Sequence, residues 1–156
     1  MSESEYPTVE VAAVLVLDQP KKRMLWMWNA RWRLFALPVC KVRSWQGLRV
    51  PHSPAAARVA AERAAAEALG TLVVVNEVTF GAQPVVDWSR RDGRRKRYAM
   101  TVYRADPHPD HAKHARLPDR HVWLTADEVL KGELTPLSGP CRELVRQMVE
   151  AGWLPG

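Results

Sequence analysis

The sequence predicts an α+β fold in which α-helices pack on a mixed β-sheet. Segments rich in β-branched residues lie on both sides of one alanine-rich helix pattern, and hairpin signals separate several of these segments. The predicted order is strands, helix, strands, helices, with hairpins among the strands, which is typical of an α+β fold. At 156 residues, the chain suits one domain, residues 1–156, with its own core.

Strands are predicted in the first forty residues. Residues 9–18 (VEVAAVLVLD) are rich in β-branched side chains and end at a turn signal, which predicts a largely buried strand. Residues 23–29 alternate in the manner of a second strand. Residues 31–42 predict a short extended piece that Pro38 interrupts, and residues 43–52 show no periodicity and predict a loop.

Residues 53–70 (SPAAARVAAERAAAEALG) carry the clearest helix signal in the chain. Ser53 is a good N-cap, Pro54 suits the first helical position, and Gly70 is the residue expected just after the end. The alanines favour the helix and allow it to approach a sheet closely.

The segments after the helix predict two strands and, between them, a hairpin. A strand is expected at residues 71–80, and the segments PVVDWS and RYAMTVYRA flank a hairpin turn at Asp92-Gly93. A polar loop with three prolines follows at residues 106–120, and HVWLT predicts a last short strand.

Two helices are predicted at the end of the sequence. The first starts from a Thr125 cap, and the second runs from a Ser138 cap to Gly152. Helices that follow the strands complete the α+β order.

Composition and charge narrow the class of protein. No apolar run could cross a bilayer, and the N-terminal segment lacks the pattern of a secretory signal, so we expect a cytoplasmic protein without membrane association. Cys40 and Cys141 have no spacing typical of a disulfide framework or a zinc site. The formal net charge of +6 comes mostly from the basic segment RRDGRRKR, from Arg90 to Arg97, in which six basic residues face one aspartate.

The order and spacing of two segments resemble the Nudix hydrolase superfamily. That family shows a strand ending in W-x-L-P-G-G-K and then a helix with R-E-U-x-E-E-x-G, where U is aliphatic. This chain has RWRLFALPVCKV and ERAAAEALG, so Lys41 falls on the first motif, and Arg63, Glu67 and Gly70 keep the spacing of the second. The resemblance implies a mixed β-sheet sandwiched between α-helices.

The chain also departs from the family motif. Val39 and Cys40 replace the two glycines, and Ala64 and Ala68 replace two of the three helix glutamates. The loop before the helix is about nine residues longer than usual. The catalytic signature is therefore only partly present.

The resemblance implies a Mg²⁺- or Mn²⁺-dependent hydrolase of a nucleoside diphosphate linked to another group. Glu67 would then hold the metal, Arg63 would orient that carboxylate, and Lys41 would face substrate phosphate. Mg²⁺ takes hard oxygen ligands, commonly one or two carboxylates with water and phosphate. The alternative is a catalytically inactive Nudix-fold module that binds a nucleotide, nucleic acid or protein partner, and a homodimer remains open.

Other residues are candidates for binding. Trp32 would stack on a nucleobase, although packing in the hydrophobic core is the simpler interpretation of this side chain. Arg94 and Arg95 of the basic segment would bind substrate phosphate or nucleic acid, with Trp88 and Tyr98 available for base stacking, whereas a charged hairpin tip that keeps the protein in solution is the alternative.

The remaining charged groups leave two questions open. The i,i+4 pairs Arg58–Glu62 and Arg63–Glu67 would also stabilise the helix surface without any catalytic role. His108, His111 and His114 could form a metal site, but the nearby prolines argue against a helix that aligns the rings, so a solvated loop is favoured. Carboxylates that could join Glu67 are Glu77, Asp87, Asp106, Asp110 and Asp119.

Overall fold

The computed structural model describes residues 6–18, 22–42, 54–89, 93–132 and 136–154. Its strands are β1 (Thr8–Leu15), β2 (Leu17–Asp18), β3 (Arg23–Asn29), β4 (Leu34–Ala36), β5 (Val39–Lys41), β6 (Val73–Gly81), β7 (Val85–Trp88), β8 (Arg95–Pro107) and β9 (His121–Leu124). Its helices are α1 (Pro54–Leu69), α2 (Ala126–Lys131) and α3 (Gly139–Glu150), and a 3₁₀ helix spans Pro109–His114.

These strands form two sheets in the described part of the chain. The larger sheet has the order β5-β1-β8-β6, with β7 also paired to β8. β1 and β8 are parallel, whereas β5, β6 and β7 run antiparallel to their neighbours, so the sheet is mixed. In the smaller sheet, β3 pairs with β2, β4 and β9.

The alternating side chains of β1 separate two hydrophobic cores. Val11, Ala13 and Leu15 belong to a core shared with α2 and α3, which we call the α2/α3 core. Ala12 and Val14 belong to a core shared with α1, which we call the α1 core. Because successive strand residues point to opposite faces, helices cover both faces of the larger sheet. The α+β prediction, with the sheet between helices, is confirmed.

Most of the predicted elements are confirmed with small shifts of their ends. The strand predicted at residues 9–18 is divided at Val16, because β1 belongs to the larger sheet and β2 to the smaller one. Thr125 and Ser138 cap α2 and α3 as predicted, and Thr125 forms a capping box with Glu128. The loop at residues 43–52, Ser53 and Asp92 lie outside the described residues.

One local prediction is wrong. The prolines near His108, His111 and His114 were expected to prevent a helix, but Pro109 occupies the first turn of a 3₁₀ helix, where a missing amide costs no hydrogen bond. Residues three apart are eclipsed in this helix type. The three histidine rings consequently lie side by side along the helix. The ring centroids of His108 and His111 are 5.6 Å apart, and those of His111 and His114 are 6.3 Å apart.

The described helices include none with the length and apolar character needed to span a bilayer.

Candidate ligand-binding site

A cavity of about 430 Å³ opens at the C-terminal end of α1. Glu67 and Gly70 contribute one wall, and Met27 of β3 contributes another. The segment after the 3₁₀ helix closes the third side. The lining residues on this side are His114, which ends the 3₁₀ helix, and then Arg116, Leu117 and Pro118.

The backbone at Gly70 brings these walls together. Gly70 has a left-handed φ of +62°, which ends α1 and favours glycine. The Arg116 amide donates to the Leu69 carbonyl at 2.7 Å, and the His108 amide donates to the Leu72 carbonyl at 2.8 Å. A Cβ at position 70 would lie 2.8 Å from the Arg116 carbonyl oxygen, so glycine allows this close approach.

The cavity combines one acid with two basic groups on a partly apolar wall. Glu67 is the one acidic residue among the lining residues, which also include Arg116 and His114. Met27, Leu117 and Pro118 supply apolar surface. A flat group against the apolar wall and an anion beside Arg116 would both fit such a lining.

Two groups with clearly shifted pKa values, the Tyr103 hydroxyl and the Cys141 thiol, lie in the hydrophobic cores. Burial raises the pKa of the Tyr103 hydroxyl in the α1 core, and the nearby Arg58 charge opposes this effect. Burial also raises the pKa of the Cys141 thiol, against hydrogen bonds with Ser138 and Leu37. Neither group lines the cavity.

Solved structures with a similar fold include Nudix proteins. A MutT protein from Methanosarcina mazei superposes with a TM-score of 0.63 at 16% identity, covering 95% of this chain and 97% of that chain. A Nudix hydrolase from Alicyclobacillus acidocaldarius gives a TM-score of 0.59 at 14% identity, covering 94% and 93%. An Ap4A hydrolase from C. elegans gives 0.57 at 12% identity, covering 93% and 98%.

The chain has the Nudix fold. No protein-family model matches the sequence, and no curated protein sequence matches it at a significant level. The course of the backbone therefore confirms the Nudix fold that the resemblance of the two sequence segments predicts.

The two alanines that replace glutamates of the Nudix motif are buried. Ala64 is 3% exposed and Ala68 is 0% exposed, and both belong to the α1 core together with Leu25 and Val14. Methyl groups at these positions let α1 pack directly on the sheet. Helix α1 therefore presents apolar surface at the two positions that the sequence resemblance assigns to motif acids.

Glu67 and Arg63, the predicted catalytic pair, are both exposed on α1. Glu67 lines the cavity, whereas Arg63 is absent from its lining. The structure contains the Arg58–Glu62 pair, with Nε and Oε1 separated by 3.2 Å, but the described residues show no ion pair between Arg63 and Glu67.

Lys41 and Trp32, which were predicted to contact substrate phosphate and a nucleobase, lie on different parts of the fold. Lys41 is exposed at the end of β5, an edge strand, and does not line the cavity. Trp32 packs on the α2/α3 core. Glu67 lies on α1, which belongs to the other core. Lys41 and Trp32 are therefore absent from the cavity lining that contains Glu67.

Arg94 and Arg95 lie at the start of β8, in the hairpin with β7. The cavity-lining segment follows the other end of β8. The two arginines therefore belong to a separate surface.

The additional carboxylates do not join Glu67 in the cavity lining. Glu77 lies 3.8 Å from Arg58, toward the start of α1. The Asp87 carboxylate lies against the first turn of α3, since an added Cβ on Gly139 would be 2.7 Å from its Oδ2. Within the described ranges, no group of three or more His, Cys, Asp or Glu side chains is arranged to hold a metal ion.

Sequence reasoning missed Arg116 and Met27 as cavity residues and considered His114 only for metal binding. Gly70 could have indicated that another segment approaches the helix end closely, because a motif glycine with positive φ often marks such a contact. The identity of that segment depends on how the residues after β8 fold back, which no local pattern contains.

Proposed function

We propose that this protein is a Nudix-fold module that binds a phosphorylated, nucleotide-like ligand in the cavity at the end of α1 without hydrolysing it. The observation that carries the proposal is the burial of Ala64 and Ala68 in the α1 core, with Glu67 as the one carboxylate in the cavity lining. A hydrolase that relies on Mg²⁺ needs oxygen ligands in near-octahedral arrangement. The donor set around Glu67 fits that requirement poorly.

The lining suits direct recognition of a phosphorylated ligand. Arg116 offers a guanidinium that pairs with phosphate oxygens, and His114 adds a second donor. Met27, Leu117 and Pro118 offer apolar surface for a nucleobase. Glu67 can accept hydrogen bonds from ribose hydroxyls or from an exocyclic amine. A volume of about 430 Å³ is in the range of ordinary small-ligand sites.

The structural relatives support a nucleotide as the ligand class. One of them is described as an Ap4A hydrolase and others as MutT proteins or Nudix hydrolases. We extend only the ligand class to this chain, because two motif acids are replaced.

Calorimetry with ATP, ADP and diadenosine tetraphosphate tests this proposal, once with Mg²⁺ and once with EDTA. We expect binding in EDTA and no product by chromatography. Arg116→Gln should weaken binding by about 10-fold or more, because a charge-assisted hydrogen bond contributes about 1.5–3 kcal/mol. Lys113→Gln is the matched control, since Lys113 is an exposed cation three residues before Arg116, in the preceding 3₁₀ helix, and lies outside the lining. Equal losses in both variants, or no binding at all, would contradict the proposal.

The second candidate function is Mg²⁺- or Mn²⁺-dependent hydrolysis of a nucleoside diphosphate derivative. The observation that favours it is the position of Glu67, which matches a metal-ligand position of the Nudix motif and lines the cavity. Turnover that is lost in Glu67→Gln and kept in Glu62→Gln would establish this function. Glu62 is the control because it lies on α1, is exposed and pairs with Arg58.

A further inference from the structure

The hairpin of β7 and β8 presents an aromatic and basic face. The strand register places Trp88 opposite Arg95 and Val86 opposite Arg97. Directly opposed residues share a face, and so do residues two apart along a strand. Trp88, Arg95 and Arg97 therefore lie on one face of the hairpin.

The other face of the hairpin is already covered. Val85 and Tyr98, which are opposite each other, pack against the α2/α3 core. Asp87 lies against the first turn of α3, as the 2.7 Å from its Oδ2 to an ideal Cβ on Gly139 indicates. Since these residues face α3, the Trp88 face is turned away from that helix.

The Trp88 side chain is exposed to solvent on this outward face. Its exposed fraction is 57%, although most large aromatic side chains bury their surface. The Arg95 guanidinium carbon lies 5.1 Å from the Trp88 ring centroid, which is the distance of a cation–π contact. The contact places a planar ring and a fixed positive charge beside each other.

The charge of the surrounding sequence complements a polyanion. The segment 90–97 contains six basic residues and one acid, and it supplies most of the net charge of +6. On the outward face, the next residue of β8 after Arg97 is Ala99, and Glu10 of β1 lies beside it. The acid therefore lies beyond the arginines, toward the centre of the sheet.

We propose that the outward face of the β7–β8 hairpin binds single-stranded nucleic acid, with bases stacked on Trp88 and phosphates paired with Arg95 and Arg97. A stacking ring beside basic side chains is the arrangement that recognises unpaired bases without sequence preference. In a duplex the bases are already stacked, so a duplex offers this face only its phosphates.

This surface is distinct from the cavity at the end of α1. β8 connects the two regions, with Arg97 near its start and Pro107 at its end, just before the 3₁₀ helix that leads to the cavity. At about 3.3 Å per residue these ten steps span roughly 30 Å. One mononucleotide cannot reach both, so loss of either binding activity leaves the other testable.

Fluorescence polarisation of a labelled 12-nucleotide oligo(U) tests the proposal on the full chain. We expect Trp88→Ala to weaken binding roughly 5- to 100-fold, which is the range found when stacking on one base is lost, and Trp88→Phe to retain most of the affinity. Arg95→Gln with Arg97→Gln should lower the slope of log affinity against log salt by about 1.4, since each phosphate contact to a single strand contributes about 0.7.

The control replaces Lys113 and Lys131 by Gln, which removes the same charge from two exposed positions outside the hairpin. Thermal unfolding confirms that each variant is folded. Equal effects of the two double variants, an unaltered affinity in Trp88→Ala, or equal affinity for a duplex of the same length would each overturn the proposal. So would tighter binding to vesicles with 30% phosphatidylserine than to the oligonucleotide.

Discussion

Gly70 joins the Nudix helix to the segment that closes the cavity. It has a φ of +62°, and the Arg116 carbonyl occupies the space where a Cβ would be. Gly93 has a similar φ of +69° but open space around it. Substituting Gly93 would therefore introduce backbone strain alone, whereas substituting Gly70 would introduce backbone strain and a steric clash with Arg116.

We expect Gly70→Ala to lower the free energy of unfolding by about 2–4 kcal/mol, because left-handed backbone strain of about 1–2 kcal/mol adds to the displacement of Arg116. Gly93→Ala should cost only the strain, about 1–2 kcal/mol. Urea denaturation measures both. Similar losses in the two variants would show that the contact with Arg116 contributes nothing.

Glu143 and Arg146 form a hydrogen-bonded ion pair on α3, with Arg146 Nε donating to Glu143 Oε2 at 2.8 Å. This hydrogen bond lowers the pKa of Glu143 below its ordinary value, against the opposing effect of partial burial. Since the folded pKa lies below the unfolded pKa, the pair stabilises the native state above the unfolded value. That contribution is lost as the pH falls through the folded value.

We therefore expect Glu143→Gln to destabilise the protein by about 0.5 kcal/mol at pH 7, a typical magnitude for an exposed pair. The difference from the parent should disappear as the pH falls below the ordinary range of a glutamate, near 4. Urea denaturation between pH 3 and pH 7 measures it. In an Arg146→Gln background, the same substitution should show no such pH dependence.

Helix α1 packs on the sheet through an apolar face. That face includes Ala64 and Ala68, the two positions at which the Nudix motif has glutamates. Its buried alanines face the sheet, and their small side chains allow close packing. The buried alanines of α1 are Ala60, Ala61, Ala64, Ala65 and Ala68. Restoring the motif acids would insert a charged chain into this contact.

We expect Ala68→Glu to lower the free energy of unfolding by about 3 kcal/mol or more and to give no Mg²⁺ binding by calorimetry, because position 68 is 0% exposed in an apolar core. Ala66→Glu is the matched control at a half-buried position and should cost less than about 1 kcal/mol. A stable Ala68→Glu variant that binds Mg²⁺ would instead show that α1 can still form the metal cradle of a hydrolase.

Elements with strong local patterns were predictable from the sequence. The strand at residues 23–29 was predicted with the bounds that β3 has, and the caps of α2 and α3 were predicted from Thr125 and Ser138. These features depend on alternation and on side chains next to the backbone they satisfy. Glu67 was predictable as a candidate because it keeps its spacing from Arg63 and Gly70.

The site as a whole could not be predicted in this way. Arg116 reaches the cavity only because the segment after β8 folds back and hydrogen bonds to Leu69. Trp32 packs on the α2/α3 core because of where the β3–β4 connection lies, which its neighbours in sequence do not determine. Long-range docking, rather than local propensity, decides which candidate residues meet.

The fold of the whole molecule places two candidate surfaces at opposite ends of β8. The cavity-lining segment follows Pro107, and the basic hairpin contains Arg95 and Arg97 at the start of β8. β8 is also the strand to which β1, β6 and β7 all pair, so it holds both surfaces in a fixed relation.

The parallel pairing of β1 with β8 has a consequence for biosynthesis. β1 is translated before β8 and pairs with it from Thr8–Arg97 to Leu15–Arg104, so the edge of β1 that faces β8 stays unpaired until β8 has been synthesised. Distant parallel pairing slows folding and leaves strand edges exposed to aggregation. We expect nascent chains truncated before β8 to depend on chaperones that shield the apolar side chains of β1.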